Sequence, residues 1–316
     1  MLVLTRSQVE ELLDLDALVE AVAAAQADLS SGAASMPPRI AALVPEHDGL
    51  LGVMPAYLPS AGLACKLVTL FPRNRDRHTH QAAIMVFDPA NGSPVALMDG
   101  TYITATRTAA ASALATRLLA REDASVLAVL GTGVQAESHG RALARVRDFT
   151  DVRIAGRDRA KAEALAAGLG GRAVSSWQEA LDGADVVAAT THTDKPVVRR
   201  EWLSPGVHVN SVGLNQSGRE VDEATVAEAL LVVESRASTL AQPPAGAPDL
   251  AGVPPERVHA ELGELVRGEK PGRTSADQIT LYKSVGVAVQ DVAAAALVLA
   301  AARARGIGAD IDLGAE

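Results

Sequence analysis

The sequence contains little cysteine, few aromatic residues and no long apolar run. Cys65 is the only cysteine among 316 residues, which excludes an intrachain disulfide and a multi-cysteine zinc site. Aromatic residues make up 3% of the chain, so aliphatic side chains must fill most of the core. The longest apolar stretch, residues 292–302, is too short to cross a bilayer.

The chain also lacks an excess of positive charge. Its net charge of -9 argues against nucleic-acid binding, because nucleic-acid-binding proteins normally present a basic face. Residues 1–6 do not form a charged leader before an apolar segment. We therefore expect a cytoplasmic protein that binds neither membranes nor nucleic acids. Local cations can still bind a small anionic ligand.

The length and the hydrophobic pattern predict two domains. Short β-like runs separated by turns occupy residues 39–97, and strands alternate with helices from residue 125 onward. Such alternation is typical of a parallel sheet with crossover helices. We expect an α/β protein with a doubly wound Rossmann domain over residues 121–280. A separate α+β domain is expected over residues 1–120, and a long helix is expected to begin the C-terminal segment, 281–316.

A glycine-rich turn lies between a predicted strand and a predicted helix. The segment Gly131-Thr132-Gly133-Val134-Gln135-Ala136 has the pattern G-x-G-x-x-A. The first glycine permits a tight turn, the second lets a pyrophosphate approach the backbone, and the alanine lets the helix pack closely. The pattern alone is weak evidence, but its position between strand and helix supports it. We predict that Gly131, Gly133, Val134 and Gln135 bind a nicotinamide dinucleotide.

The end of the next predicted strand bears on the choice between NADP and NAD. Enzymes that prefer NAD usually carry an acidic residue there, which binds the ribose 2′-hydroxyl. This chain reads Ala155-Gly156-Arg157-Asp158-Arg159. Gly156 leaves room, and Arg157 and Arg159 offer guanidinium groups to a 2′-phosphate. The pattern favours NADP over NAD. The alternative is that both arginines are solvated and Asp158 binds the ribose.

Several ordered segments form recognisable motifs along essentially the whole chain. They are Pro38-Arg39, residues 51–57 (LGVMPAY), 66–69 (KLVT), 80–82 (HQA), 98–100 (MDG), 103–110 (ITATRTAA), 131–136 (GTGVQA), 260–264 (AELGE) and 283–286 (KSVG). These motifs resemble those of the ornithine cyclodeaminase/mu-crystallin family, and the ketimine reductase branch is the most similar in motif. The family includes ornithine cyclodeaminases, alanine dehydrogenases, opine-type enzymes and ketimine reductases.

The resemblance implies a homodimer, in which residues 1–120, completed by the C-terminal helix of residues 281–316, form a substrate and dimerisation domain. It also assigns roles to particular residues. Arg39 and Lys66 correspond to cations that bind the substrate carboxylate. Arg107 corresponds to an arginine between substrate and nicotinamide. Gln81 stands where cyclodeaminases have a threonine near the cofactor, and we expect it to join Arg39, Lys66 and Arg107 in binding the substrate. Ser284 resembles a contact on the nicotinamide side. We expect Thr190, Val212 and Gly213 to complete the cofactor site.

Two positions depart from the cyclodeaminase pattern. Cyclodeaminases place an acidic residue after Val-Gly-Gly, whereas this chain reads Val212-Gly213-Leu214-Asn215. They also carry a glutamate where this chain has Gly52. Both departures argue against ornithine cyclisation and favour imine reduction.

Reduction of a cyclic ketimine carboxylate fits the remaining residues. An arginine fork and a lysine can orient the carboxylate, and positioning is much of what hydride transfer requires. Asn215 can hydrogen-bond the imine N–H, while Lys66 is the candidate proton-transfer group if neighbouring cations depress its pKa. The expected catalytic residues are therefore Lys66, Arg107 and Asn215.

Other interpretations stay open at this point. They are an ornithine or lysine cyclodeaminase, an alanine- or opine-type dehydrogenase, and a non-enzymatic binding protein for small aromatic acids. His78 and His80 form an H-x-H pair but have no Cys or acidic partner at ligand spacing. We expect these histidines to form a turn or a substrate wall, and we expect no metal site.

Overall fold

The computed structural model describes residues 1–213, 218–242 and 245–313. These residues form two compact units: unit 1 comprises Met1–Arg107 with Val287–Glu316, and unit 2 comprises Thr108–Gly286. The boundaries lie at 107/108 and 286/287, compared with the expected 120/121 and 280/281. In the part of the chain that is described, no helix is long and apolar enough to cross a membrane.

Both units contain α-helices and β-strands, numbered here in chain order. The helices are α1 Arg6–Leu12, α2 Leu15–Ser30, α3 Thr101–Leu119, α4 Val134–Leu143, α5 Arg159–Leu169, α6 Trp177–Leu181, α7 Glu223–Glu228, α8 Arg236–Thr239, α9 Leu262–Val266 and α10 Ala288–Arg305. The strands are β1 Leu2–Leu4, β2 Ile40–Val44, β3 Gly49–Leu58, β4 Gly62–Leu70, β5 His80–Phe87, β6 Pro94–Asp99, β7 Val126–Leu130, β8 Asp151–Ala155, β9 Arg172–Ala173, β10 Val186–Ala189, β11 His208–Ser211, β12 Leu230–Val233, β13 Ala260–Glu261, β14 Thr280–Lys283 and β15 Ala309–Asp310.

Unit 1 contains a seven-stranded mixed sheet in the order β15-β1-β6-β5-β4-β3-β2. Its central strands pair antiparallel, with Met54 opposite Lys66 and Lys66 opposite Ile84. Because directly paired residues share a face of the sheet, these side chains lie on one face. Helix α10 packs against β3, β4 and β5, and also against α2. The core of unit 1 therefore lies between α10 and this face.

The opposite face of the same sheet presents apolar side chains to solvent. Leu51, Tyr57 and Leu67 lie next to buried positions of β3 and β4, and Ile40 shares a row with Leu67 through Val53. These four side chains are between 38% and 67% exposed. A monomeric protein rarely exposes a contiguous apolar surface of this kind.

The first helical segment of the chain consists of two helices, α1 and α2. Asp14 interrupts it, because its side chain accepts a hydrogen bond from Ala17 N at 2.8 Å and caps α2. Val19 and Val22 are buried in α2, as their helical spacing indicates.

Unit 2 contains an eight-stranded parallel sheet in the order β13-β12-β14-β11-β10-β7-β8-β9. Along the sheet, the strands β9-β8-β7-β10-β11-β14 have the 3-2-1-4-5-6 order of a Rossmann fold. Strands β12 and β13 extend the sheet beyond β14. All four residues of β10 are buried, as in sheets covered on both faces. The predicted α/β fold class is confirmed.

The expected long helix beginning at residue 281 was wrong in its first part. Residues Thr280–Lys283 form strand β14, which is inserted between β11 and β12. Helix α10 begins only at Ala288, after Gly286 adopts a left-handed conformation with φ 74°. The run of apolar residues was too short to distinguish a buried strand from a helix by periodicity.

Candidate active site

Three charged side chains of unit 1 meet in its interior. Lys66 on β4, Arg107 on α3 and Asp291 on α10 are 2%, 4% and 1% exposed. Lys66 Nζ lies 2.7 Å from Asp291 Oδ2, and Arg107 Nε donates to Asp291 Oδ1 at 3.0 Å. Buried charges persist in proteins when they are paired, so a single carboxylate holds both cations in place.

Further groups orient and surround this cluster. The Arg107 Nη1 donates to Gln290 Oε1 at 3.0 Å, which fixes the guanidinium plane from α10. Arg39, just before β2, is half-buried and close enough for its charge to act on Lys66. With Asp291 as the carboxylate between the cations, the cluster of Arg39, Lys66 and Arg107 retains excess positive charge. Such a cluster favours a bound anion.

The cluster changes the pKa values of its members. Burial lowers the pKa of Lys66 to about 8; the Asp291 charge opposes this shift, and Arg107 and Arg39 reinforce it. Burial would raise the pKa of Asp291, but the charges of Arg107 and Lys66 hold it below its ordinary value. At neutral pH the lysine is therefore mostly protonated and the aspartate is ionised.

His80 lies on the same face of the sheet as Lys66. His80 pairs with Leu70, which lies four residues after Lys66 on β4. Because strand side chains alternate with a period of two residues, Leu70 and His80 point to the same face as Lys66. Burial, and then the charges of Lys66 and Arg107, lower the pKa of His80 to about 4, so its imidazole is neutral at pH 7. His78, by contrast, contacts Arg6, with 3.1 Å between Nε2 and Nη1.

The structure does not bring Gln81 to the cation cluster. Gln81 pairs with Thr69, which pairs with Leu51, so this row lies on the exposed apolar face. Within one chain Gln81 therefore points away from Lys66, because successive strand residues point to opposite faces. Its assignment to the substrate site stays a prediction. Its neighbour His80 lies on the Lys66 face.

Gly52 also lies in a row on the Lys66 face. It pairs with Val68, which in turn pairs with Ala82. A Cβ atom at Gly52 would lie 3.1 Å from Val68 Cγ1. This part of the face therefore lacks the carboxylate that cyclodeaminases place there, and the residues beside it are small and apolar.

The glycine-rich turn in unit 2 has the geometry that a pyrophosphate requires. Gly131 follows β7 with φ 124°, and a Cβ atom there would lie 2.5 Å from Thr190 Oγ1. Gly133 is the N-cap of α4, and a Cβ atom there would meet nothing within 4 Å. Open space at the start of a helix, where N–H groups and the helix dipole favour an anion, fits a dinucleotide phosphate. Val134 and Gln135 form the first turn of this helix.

The two arginines after β8 that could bind a 2′-phosphate, Arg157 and Arg159, differ in their contacts. Arg159 donates to Glu163 Oε1 at 2.7 Å, and Asp158 caps α5 by accepting from Lys161 N. Arg157 is exposed. Gly156 packs against Thr132, since a Cβ atom there would lie 2.4 Å from Thr132 Cγ2.

The other predicted cofactor residues follow the ends of neighbouring strands. Thr190 follows β10, Val212 and Gly213 follow β11, and Ser284 follows β14. The carboxyl ends of parallel strands lie at one edge of a sheet, so these residues share the edge at which Rossmann folds bind ligands. The Ser284 hydroxyl donates to Glu234 Oε1 at 2.9 Å, which leaves its oxygen to accept from a ligand. Asn215 lies outside the described residues.

Several buried polar residues of these sites were not found from the sequence. They are Gln290, Asp291, Glu220 and Glu234. Asp291 carried one usable signal, because it is an isolated acid within an apolar, alanine-rich helix. A charge in such a stretch is seldom buried without a partner.

Among the residues that the structure describes, no group of three or more His, Cys, Asp or Glu side chains is placed to hold a metal ion. Unit 2 presents a dinucleotide-binding edge, and unit 1 presents buried cations that suit a small carboxylate. The fold and these residues define a nicotinamide-dinucleotide-dependent oxidoreductase.

Comparison with known proteins identifies the family. The sequence profile of the ornithine cyclodeaminase/mu-crystallin family matches residues 1–306, and the chain belongs to this family. Mouse "Ketimine reductase mu-crystallin" is 41% identical over 290 residues, which cover 89% of this chain and 90% of the mouse protein. The resemblance seen in the sequence motifs is confirmed.

Solved structures with the same fold include two close relatives. The Delta(1)-pyrroline-2-carboxylate reductase of Thermococcus litoralis, in complex with NADH and L-proline, has a TM-score of 0.93 and 36% identity, covering 98% of this chain and 100% of its own. An archaeal alanine dehydrogenase dimer with bound NAD has a TM-score of 0.92 and 33% identity, covering 99% of both chains.

Proposed function

We propose that this protein is an NAD(P)H-dependent reductase of cyclic ketimine carboxylates, of the 1-pyrroline-2-carboxylate and 1-piperideine-2-carboxylate type. The products are the corresponding cyclic amino acids. The observation that carries the proposal is the buried cluster in which Asp291 holds Lys66 and Arg107 together. The names of the mouse and Thermococcus relatives support the same reaction.

In this proposal the cations of unit 1 bind and orient the substrate. Arg107 and Arg39 contact the carboxylate, and Lys66 adds a third positive charge. Excess positive charge in a buried site stabilises a bound anion strongly, because little water is present to screen it. The neutral His80 forms part of the wall of the same site and adds no charge at pH 7.

Lys66 is the proposed proton donor to the imine nitrogen. A pKa of about 8 leaves it mostly protonated at pH 7, yet makes its proton far easier to release than that of an ordinary lysine. Reduction of the C=N bond requires one hydride at carbon and one proton at nitrogen. The dinucleotide supplies the hydride when it is bound. Asn215 remains a proposed hydrogen-bonding partner for the imine N–H.

The proposed cofactor-binding residues are those of the unit 2 sheet edge: Gly131, Gly133, Val134, Gln135, Gly156, Arg157, Thr190, Val212, Gly213 and Ser284. We favour NADP, because Arg157 is exposed at the end of β8 while Asp158 caps a helix and Arg159 pairs with Glu163. The two structural relatives described above were solved with NADH and NAD.

We also propose a homodimer formed through the exposed apolar face of the unit 1 sheet. Ile40, Leu51, Tyr57 and Leu67 lie on this face, and Gln81 lies beside them. Burial of these side chains against a second copy would remove them from water. The archaeal alanine dehydrogenase relative, which is a dimer, supports this assembly.

Ornithine cyclodeamination and alanine- or opine-type oxidation are the alternative reactions. Gly52 argues against the first, since its row on the Lys66 face carries no carboxylate to accept a proton from a substrate amine. Similarity to the archaeal alanine dehydrogenase supports alanine- or opine-type oxidation as the second alternative.

A substrate panel with NADPH and NADH tests the proposal. We expect dinucleotide oxidation with 1-pyrroline-2-carboxylate or 1-piperideine-2-carboxylate, at a rate exceeding that with pyruvate and ammonia. Ammonia release from ornithine without net redox change would instead identify a cyclodeaminase. Tight dinucleotide binding without turnover on any imine would also exclude the proposed reaction.

A further inference from the structure

A second buried carboxylate, Glu220, lies in unit 2 and has no part in the chemistry proposed above. It is 3% exposed. Its Oε1 accepts hydrogen bonds from Thr191 N at 2.6 Å and Thr191 Oγ1 at 2.8 Å. Its Oε2 accepts from Ser211 Oγ at 2.7 Å and Gly213 N at 2.8 Å. Four donors therefore hold both carboxylate oxygens.

These donors come from two neighbouring segments of the sheet edge. Thr191 follows β10, whereas Ser211 ends β11 and Gly213 follows it. Because β10 and β11 pair directly, a carboxylate bonded to both segments fixes the separation and orientation of the backbone that follows each strand. Charge-assisted hydrogen bonds to backbone N–H groups are among the stronger polar contacts in proteins.

The backbone of Glu220 is itself held by a buried ion pair. Glu220 N donates to Asp249 Oδ1 at 2.7 Å, and Asp249 Oδ2 lies 2.8 Å from Lys283 Nζ. The Lys283 ammonium also donates to Gly213 O at 2.8 Å. The N–H and the C=O of Gly213 are thus both occupied by this network, which determines the orientation of the peptide groups there.

The position of the Glu220 network in the fold indicates which half of a bound dinucleotide it lies near. A Rossmann sheet consists of two mononucleotide-binding halves. The glycine-rich turn after β7 and the segment after β8 belong to the first half, which binds the adenosine portion and the pyrophosphate. Strands β10 and β11 belong to the second half, which is left to bind the nicotinamide portion.

We propose that Glu220 is a positioning residue, which holds Thr191 after β10 and Gly213 after β11 in the conformation that binds the nicotinamide half of the dinucleotide. The inference rests on dinucleotide binding by unit 2 and does not depend on which imine is reduced. An error in the substrate assignment would leave it intact.

Calorimetric titration of Glu220→Gln without any imine tests the inference. Glutamine has nearly the same shape, but its amide group replaces one acceptor oxygen with a donor, which then faces an N–H or O–H group. We expect the affinity for NADPH to fall by about tenfold or more. The affinity for 2′-phospho-ADP-ribose, which lacks nicotinamide, should stay within about twofold of the wild-type value. If the wild type prefers NADH, the pair is NADH and ADP-ribose.

Glu264→Gln is the matched control. Glu264 lies in the same unit, is half-buried, and accepts hydrogen bonds from Glu261 N at 2.7 Å and Arg236 Nη2 at 3.0 Å. It belongs to α9, which follows the edge strand β13, so its substitution should change neither affinity. Equal weakening of both ligands by Glu220→Gln would show a general structural role, and unchanged binding of both would show no role; either result overturns the inference.

Thr191→Val is a milder variant that decides the question if Glu220→Gln does not fold. It removes the hydroxyl donor to Glu220 and keeps the backbone N–H. The same selective loss of dinucleotide affinity, of smaller size, is expected. Parallel loss for both ligands, or no loss, counts against Glu220 as a positioning residue.

Discussion

Lys66 and Asp291 form a buried ion pair, with Lys66 Nζ 2.7 Å from Asp291 Oδ2, and neither is more than 2% exposed. Arg107 contacts the other oxygen of the same carboxylate. One acid thus places two cations side by side in unit 1, and it opposes the effect of burial on the lysine. Four predictions follow from the two sites.

Asp291→Asn should destabilise the protein and alter the titration of Lys66. Removing one member of a buried ion pair leaves its partners uncompensated, so we expect a loss of about 3–5 kcal/mol in the free energy of unfolding. Denaturant unfolding measures this loss. The exposed Asp310, which lies 4.0 Å from the N-terminal ammonium group, provides the control variant Asp310→Asn, which should change stability little. Equal stability of the two variants would contradict the structural role of Asp291.

The pH dependence of imine reduction should report Lys66. Its pKa is lowered to about 8, so the ammonium form predominates below pH 8 and is lost above it. The kcat/KM for reduction should therefore decrease as pH rises through about 8, and oxidation of the cyclic amino acid should increase over the same range. Lys66→Gln should abolish this limb of the profile, and Asp291→Asn should move it to lower pH. A limb near pH 8 that persists in Lys66→Gln would remove Lys66 from the proton chemistry.

Arg157→Ala should weaken NADPH binding selectively. Loss of one guanidinium contact to a 2′-phosphate should reduce affinity by about tenfold, while NADH affinity stays unchanged. Arg159→Ala is the control, because Arg159 is paired with Glu163 and should contribute less. Fluorescence titration of the wild type and both variants with NADPH and NADH gives the dissociation constants. Equal effects of Arg157→Ala on NADH and NADPH would refute the preference for NADP.

Two glycines of the same turn should respond differently to alanine. Gly131→Ala forces a side chain into a left-handed conformation and against Thr190 Oγ1, so we expect about 1–3 kcal/mol of destabilisation together with weaker dinucleotide binding. Gly133→Ala has open space and an extended backbone, so the apo protein should keep its melting temperature. Its dinucleotide affinity should still fall, because the methyl group occupies the approach to the helix N-terminus. Unchanged affinity in Gly133→Ala would argue against a pyrophosphate at this turn.

Local sequence determined the features that depend on short segments. The glycine-rich turn between a strand and a helix was predictable, because its backbone requirements are met by glycine at particular positions. The alternation of strands and helices predicted the parallel sheet, and the ordered motifs predicted the family. Lys66 and Arg107 were candidates by resemblance, and the structure places them on one carboxylate.

Other features were decided by tertiary structure alone. The partner of Arg107 lies 184 residues away in sequence. The return of the C-terminal helix to the first domain was expected, but no local pattern indicates that Asp291 pairs with both Lys66 and Arg107. The pairing of β5 with β4 places His80 and Gln81 on opposite faces of the sheet. A shift of one residue in that pairing would exchange the two faces. The network of Glu220, Asp249 and Lys283 likewise joins residues from three separate segments. Sequence sets which side chains are available, whereas the pairing of buried charges depends on which elements pack together, because a buried charge is stable only beside the partner that the completed fold supplies.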